Sequence, residues 1–136
     1  MAITLDEANT MLAAAVAKGK EAGARLSIVI VDVGGGILAV NRMDGASLSS
    51  YFGAHGKARA SAIFSRPSAM LVQAADNPTM RNIMASAGEI VPGQGGVPIY
   101  RNGILEGAIA GGGGSGDQDE DAAKAGVEAV KLSITR

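Results

Sequence analysis

GGVPIYRNGILEGAIAGGGGSGDQDED, residues 95–121, decides the fold class of this chain. Two short apolar runs, 97–101 and 104–110, flank Asn102-Gly103. That dipeptide suits a two-residue hairpin turn, which needs positive φ at both central positions. Four glycines follow, and then an acidic segment of the kind that favours a helix N-terminus. The stretch therefore predicts strand, hairpin, strand, bare loop and helix in succession. Glycine-rich backbone entering a helix has two uses: it offers free N–H groups to an anion, or it lets two backbones approach closely. Asp117, Asp119 and Glu120 would repel a phosphate, and the segment lacks both the Lys-Ser/Thr ending of a P-loop and a Gly-x-Gly-x-x-Gly setting between parallel strands. Gly114-Ser115-Gly116 holds only part of a nucleophile elbow. A carboxylate held by these N–H groups would need a cation such as Arg42, Lys57 or Arg59. Asp117 is expected to cap the last helix, over residues 117–134, with Glu120 as its capping-box partner.

Upstream, residues 26–31 and 37–43 are β-branched-rich runs joined by Asp32-Val33-Gly34-Gly35-Gly36, a second hairpin. The first of these runs reads as buried on both faces. Thr4 and Glu7 form a capping box, and Ala8, Met11, Leu12, Ala15 and Val16 follow at the spacing of one helical face, with Gly23 as the stop. A second helix is expected over 47–65, ended by Arg66-Pro67. Shorter helices are expected over 68–75 and 79–86, and an edge strand over 89–91. The order is α-β-β-α-α-β-β-β-α. It predicts a single α+β domain over residues 1–136, with a central antiparallel sheet of five strands built from two hairpins and flanked by helices.

Composition narrows the function. The chain of 136 residues carries a net charge of −1, with no basic cluster, which argues against nucleic acid as partner. No apolar run reaches the length of a membrane span. The opening MAITLDEANT lacks a basic-then-apolar secretory pattern, so a cytoplasmic location is expected. The absence of cysteine excludes disulfides, thiolate metal sites and cysteine nucleophiles. With 20 glycines and only four aromatic residues, Tyr51, Phe52, Phe64 and Tyr100, the core must be made of small and aliphatic side chains. Self-association would cover the remaining apolar surface, so a homo-oligomer is expected.

His55 is the sole histidine and shares a helical stripe with Tyr51, Phe52 and Arg59. An imidazole beside aromatic rings can ligate haem iron or move a proton; equally, a half-buried histidine can serve only to hydrogen-bond. Asp32 and Asp44 sit at strand ends, where function and ordinary turn chemistry both place aspartates.

A longer pattern runs through the chain: Asp32-x-Gly34-Gly35, Arg42-Met43-Asp44, Lys57-Ala58 with Ala62, Gly95-Gly96-Val97-Pro98, Gly103, Gly107-Ala108 and Gly116-Asp117-Gln118-Asp119-Glu120. On these residues the chain resembles the family of GlcG-like proteins, the haem-binding sensor HbpS and the C-terminal domain of PduO adenosyltransferases. The resemblance implies a five-stranded antiparallel sheet with helices, and a symmetric homo-oligomer, the octamer included. It also implies haem or another tetrapyrrole as ligand; of this chain's own residues His55, or failing that Tyr51, is then the expected axial ligand, with Phe52 beside them. Relatives carry Val-Ser where this chain has Gly111-Gly112, which implies a barer strand end, either a ligand pocket or a tight subunit contact. Two other functions stay open. One is a cofactor-independent enzyme in which Arg42, Lys57 or Arg59 binds a small carboxylate or carbonyl compound and His55 or Asp44 transfers a proton. The other is a non-catalytic assembly subunit.

Overall fold

A computed structural model describes residues 2–136. Helix α1, Leu5–Glu21, opens on the predicted capping box: Thr4 Oγ1 accepts from Glu7 N at 3.1 Å while Glu7 Oε1 accepts from Thr4 N at 3.0 Å. Strands β1, Ser27–Asp32, and β2, Ile37–Arg42, form the first hairpin. Its turn is held by Asp32 Oδ1, which accepts from Gly34 N and Gly36 N, both at 2.9 Å. Helix α2 spans Leu48–Phe64. A single 3-10 turn, Ser68–Met70, leads into α3, Leu71–Ala74, and then α4, Pro78–Ala87. Strands β3, Gly96–Arg101, and β4, Ile104–Gly112, meet at Asn102-Gly103, where φ is 51° and 78°, as the dipeptide predicted. Helix α5, Gly116–Ala129, ends the secondary structure.

The antiparallel sheet has the order β2-β1-β4-β3, so each hairpin contributes one central and one edge strand. Among the described residues four strands are present rather than five. Residues 89–91 form a loop, because Glu89 takes a φ of 55° and Val91 N donates to Gly56 O on α2 instead of to a strand. The far edge at β3 is instead covered by the C-terminal segment, through one reciprocal backbone pair between Tyr100 and Ser133.

Alternation along the strands builds two cores, since successive residues face opposite sides of a sheet. Ile28, Ile30, Val97, Ile99 and Ile109 face α1 and α5, against Met11, Leu12, Ala15, Ala122, Ala123 and Val127. Val29, Val31, Ala108 and Ala110 face α2, which meets them with Ala54, Ala58 and Ala62. Methyl groups on both sides bring α2 close to the sheet, and β1 is buried on both faces as its sequence required.

Two features of α5 differ from expectation. Ser115, not Asp117, is the N-cap: its hydroxyl accepts from Gln118 N, and Gln118 Oε1 accepts from Ser115 N, so Gln118 replaces Glu120 in the capping box. The helix also stops at Ala129, five residues short of Ile134, and Lys131 adopts a φ of 57°.

Arg101 ties the second hairpin to α1. Its Nη2 donates to both Glu7 carboxylate oxygens at 2.8 Å and its Nε to both oxygens of buried Glu106 at 3.0 Å. The Thr4 backbone N–H and then the Arg101 guanidinium hold the Glu7 carboxyl below its ordinary range. A folded-state value below the unfolded one stabilises the fold above the unfolded value and loses that contribution as pH falls through the folded one. Thermal melts taken as pH drops from neutral to below about 4 should show a falling midpoint. In Glu7→Gln that fall should be shallower.

Candidate functional site

The surface of α2 collects most of the residues singled out in the sequence. His55 is half-buried, and its ring stacks on Tyr51 with centroids 5.7 Å apart and an interplanar angle of 11°. Tyr51 meets Phe52 edge-on at 5.4 Å. No hydrogen bond reaches either imidazole nitrogen or the Tyr51 hydroxyl among the described residues, so both donor groups are free. Phe52 and Leu48 are 61% and 59% exposed, an apolar surface beside the imidazole that the fold itself does not cover. Tyr51 packs against the α2-side core, as Val40 of β2 does.

Arg42 pairs with Ser27 across β1 and β2, and Ser27 Oγ lies 2.7 Å from Ser50 Oγ, the residue before Tyr51. Arg42 thus stands at the end of β2, on the α2 side of the sheet. Together with Asp44 it also lines an open cleft of 480 Å³ with Lys20, Arg25 and Met43, between the end of α1 and the end of β2. Neither Lys20 nor Arg25 was singled out in the sequence, because they come from a helix end and a loop with no motif between them.

The other predicted residues are committed elsewhere. Arg59 lies on the stripe of His55, but its guanidinium donates to Gly35 O, Ala87 O and Gly88 O at 3.2, 3.0 and 3.2 Å. It staples the first hairpin and the end of α4 onto α2. Lys57 is 7% exposed, and its ammonium donates to Asp119 Oδ2 at 2.8 Å and to Gln94 O at 3.1 Å. Asp119, 3% exposed, uses its other oxygen to accept from Gly114 N at 2.9 Å. The pair joins α2, α5 and both glycine-rich loops in the interior. Sequence reasoning had Lys57 and Asp119 in one pattern but no means of pairing residues so far apart in the chain.

Gly111 and Gly112 are buried. A Cβ at Gly111 would stand 2.7 Å from Asp119 O, and one at Gly112 would collide with Ser50 O. The bare end of β4 is what lets α2 and α5 close over the sheet. Gly112→Ala should destabilise the chain by about 1–3 kcal/mol, read as a lower urea midpoint at unchanged slope. An unaltered midpoint would show that the two backbones have room to part.

No group of three or more His, Asp or Glu side chains is arranged to hold a bare metal ion among the described residues. No helix is long and apolar enough to cross a membrane. The profile of a family described as haem degrading protein HbpS-like matches residues 3–128. The chain belongs to the HbpS-like family. No curated protein matches it. Among solved structures, this HbpS-like chain is similar to PduOC in its complex with haem, at 25% identity, a TM-score of 0.90 and full coverage of both chains. It is similar to a doubly substituted HbpS of Streptomyces reticuli at 30% identity and a TM-score of 0.87, covering 96% of this chain and 88% of that one. The ORFY protein of Klebsiella pneumoniae is 27% identical with a TM-score of 0.86, covering 96% and 92%.

Proposed function

We propose that this HbpS-like protein is a cytoplasmic, homo-oligomeric accessory protein that binds haem or a related tetrapyrrole on the outer face of α2. The observation that carries this reading is the free imidazole of His55, held in orientation by Tyr51 and bordered by the uncovered apolar surface of Phe52 and Leu48. The family description and the haem complex of PduOC, which shares this fold, support the choice of ligand.

The residues present fit such a group. A porphyrin needs an axial donor, an apolar surface for its macrocycle and a cation near its acidic edge. His55 offers an imidazole nitrogen to iron, and Tyr51 is the alternative donor. Phe52 and Leu48 provide the apolar surface, and Arg42 the cation. Bound haem would supply redox and gas-binding chemistry, while this chain's residues bind and orient it. A single α2 face covers only one side of a macrocycle, which is consistent with a second copy completing the enclosure.

The proton-transfer alternative retains Arg42 and Asp44, which share a cleft, but Lys57 and Arg59 are both engaged in internal contacts. Haemin titration of the purified chain, followed in the Soret region, tests the proposal. A saturable shifted band is the expected result. A spectrum indistinguishable from free haemin at every ratio would overturn it.

A further inference from the structure

The cleft between the ends of α1 and β2 has a composition of which the tetrapyrrole reading uses only Arg42. Lys20, Arg25 and Arg42 all line it, with Asp44 as the one carboxylate, in a chain whose net charge is −1. None of these four side chains takes part in a salt bridge among the described residues, although Lys18 nearby does, with Glu21 at 3.8 Å. Three cations against a single carboxylate leave the concavity with an excess of positive charge, which an anionic ligand would relieve.

The negative end of α1 does not cancel them. Lys18 O, Gly19 O and Lys20 O already accept from the N–H groups of Ala22, Ala24 and Gly23. Arg25 is also positioned rather than loose: its Cδ, Nε and Nη1 would lie 3.0–3.3 Å from a Cβ at Gly45, where φ is +80°. The guanidinium therefore rests on the bare backbone of the turn after β2. Met43 is likewise fixed, since its sulfur accepts from Leu26 N at 3.3 Å, and with Val16 it gives the cleft an apolar wall.

We propose that this cleft binds a small organic acid, its carboxylate on Arg25, Arg42 and Lys20 and its short aliphatic body against Val16 and Met43. Guanidinium groups match a carboxylate with two parallel hydrogen bonds, and the apolar wall distinguishes an organic acid from a bare inorganic anion. The proposal does not rest on haem binding.

Titrating the isotope-labelled full chain with butyrate, succinate and inorganic phosphate, followed by amide NMR, tests it. Saturable shifts at residues 20–25 and 41–45 are expected with both carboxylates. In Arg25→Gln the affinity should fall about tenfold, the loss of one charge-assisted contact. Lys20→Gln should weaken it by a smaller factor. Both positions are exposed, so the variants should keep the parent's spectrum elsewhere. Carboxylates that give no saturable shift would overturn the site. Phosphate binding as tightly as butyrate would overturn the organic-acid class. Haemin affinity falling tenfold in Arg25→Gln, with butyrate silent, would reassign the cations to a tetrapyrrole's acidic edge and equally overturn it.

Discussion

Asp119→Ala should lower stability by about 3–5 kcal/mol, because it strands the Lys57 ammonium in a site that excludes water. For a chain of this size that corresponds to a fall of roughly 10–20 °C in melting midpoint. The pair is nearly enclosed, with side chains 9% and 5% exposed, and among the described residues it is the one ion pair linking α2 to α5. Its Coulombic attraction is largely offset by desolvation, so the pair itself contributes little net stability. The cost appears only when one partner is left alone. Lys57→Met combined with Asp119→Leu should therefore recover most of the loss, short of full recovery because Gly114 N–H forfeits its acceptor. The four-corner cycle of single and double variants, measured by urea unfolding, checks this. Losses of under about 1 kcal/mol for Asp119→Ala would mean that water reaches the ammonium and the pair is peripheral.

His55→Ala should abolish the shifted Soret band, or weaken haemin binding by about a hundredfold or more, while leaving the melting curve of the free protein almost unchanged. Changing even a group that only supports a metal ligand costs about 10–100-fold in affinity, so removal of the ligand itself should cost at least as much. The small effect on stability follows from the geometry: His55 is half-buried, and its described contact is stacking on Tyr51. Tyr51→Phe keeps the stacking surface and should leave the band in place if His55 is the donor. A band lost in Tyr51→Phe and kept in His55→Ala would transfer the iron to the phenolate.

Much of the fold was legible because it is written in local patterns. Asn102-Gly103, the Thr4–Glu7 capping box and the Asp32 turn each involve residues only a few positions apart, and all three are present. The errors lie where local signals compete. Ser115 and Asp117 are both good caps, and the tight turn out of β4 selects the serine. Residues 89–91 look like a strand, but Gly56 leaves a bare patch on α2 that takes Val91, and the backbone bond from Val91 N to Gly56 O follows.

The candidate site divides in the same way. The Tyr51–Phe52–His55 cluster could be read from helical spacing, since three- and four-residue steps share a face. The partners of Lys57 and Arg59 could not. Their contacts, 62 residues away at Asp119 and 24 away at Gly35, are set by sheet order rather than by sequence. Lys20 and Arg25 became visible only once α1 and β2 were placed side by side.

The central claim is that His55 ligates the metal of a bound tetrapyrrole, and the single histidine in the chain makes a direct measurement simple. The protein, labelled only at histidine, can be titrated with diamagnetic gallium protoporphyrin and its one imidazole followed by NMR. Ligation places that ring over the macrocycle, so its resonances should move far upfield in step with saturation of the Soret band. An imidazole signal that stays in place while the porphyrin band saturates would contradict the account.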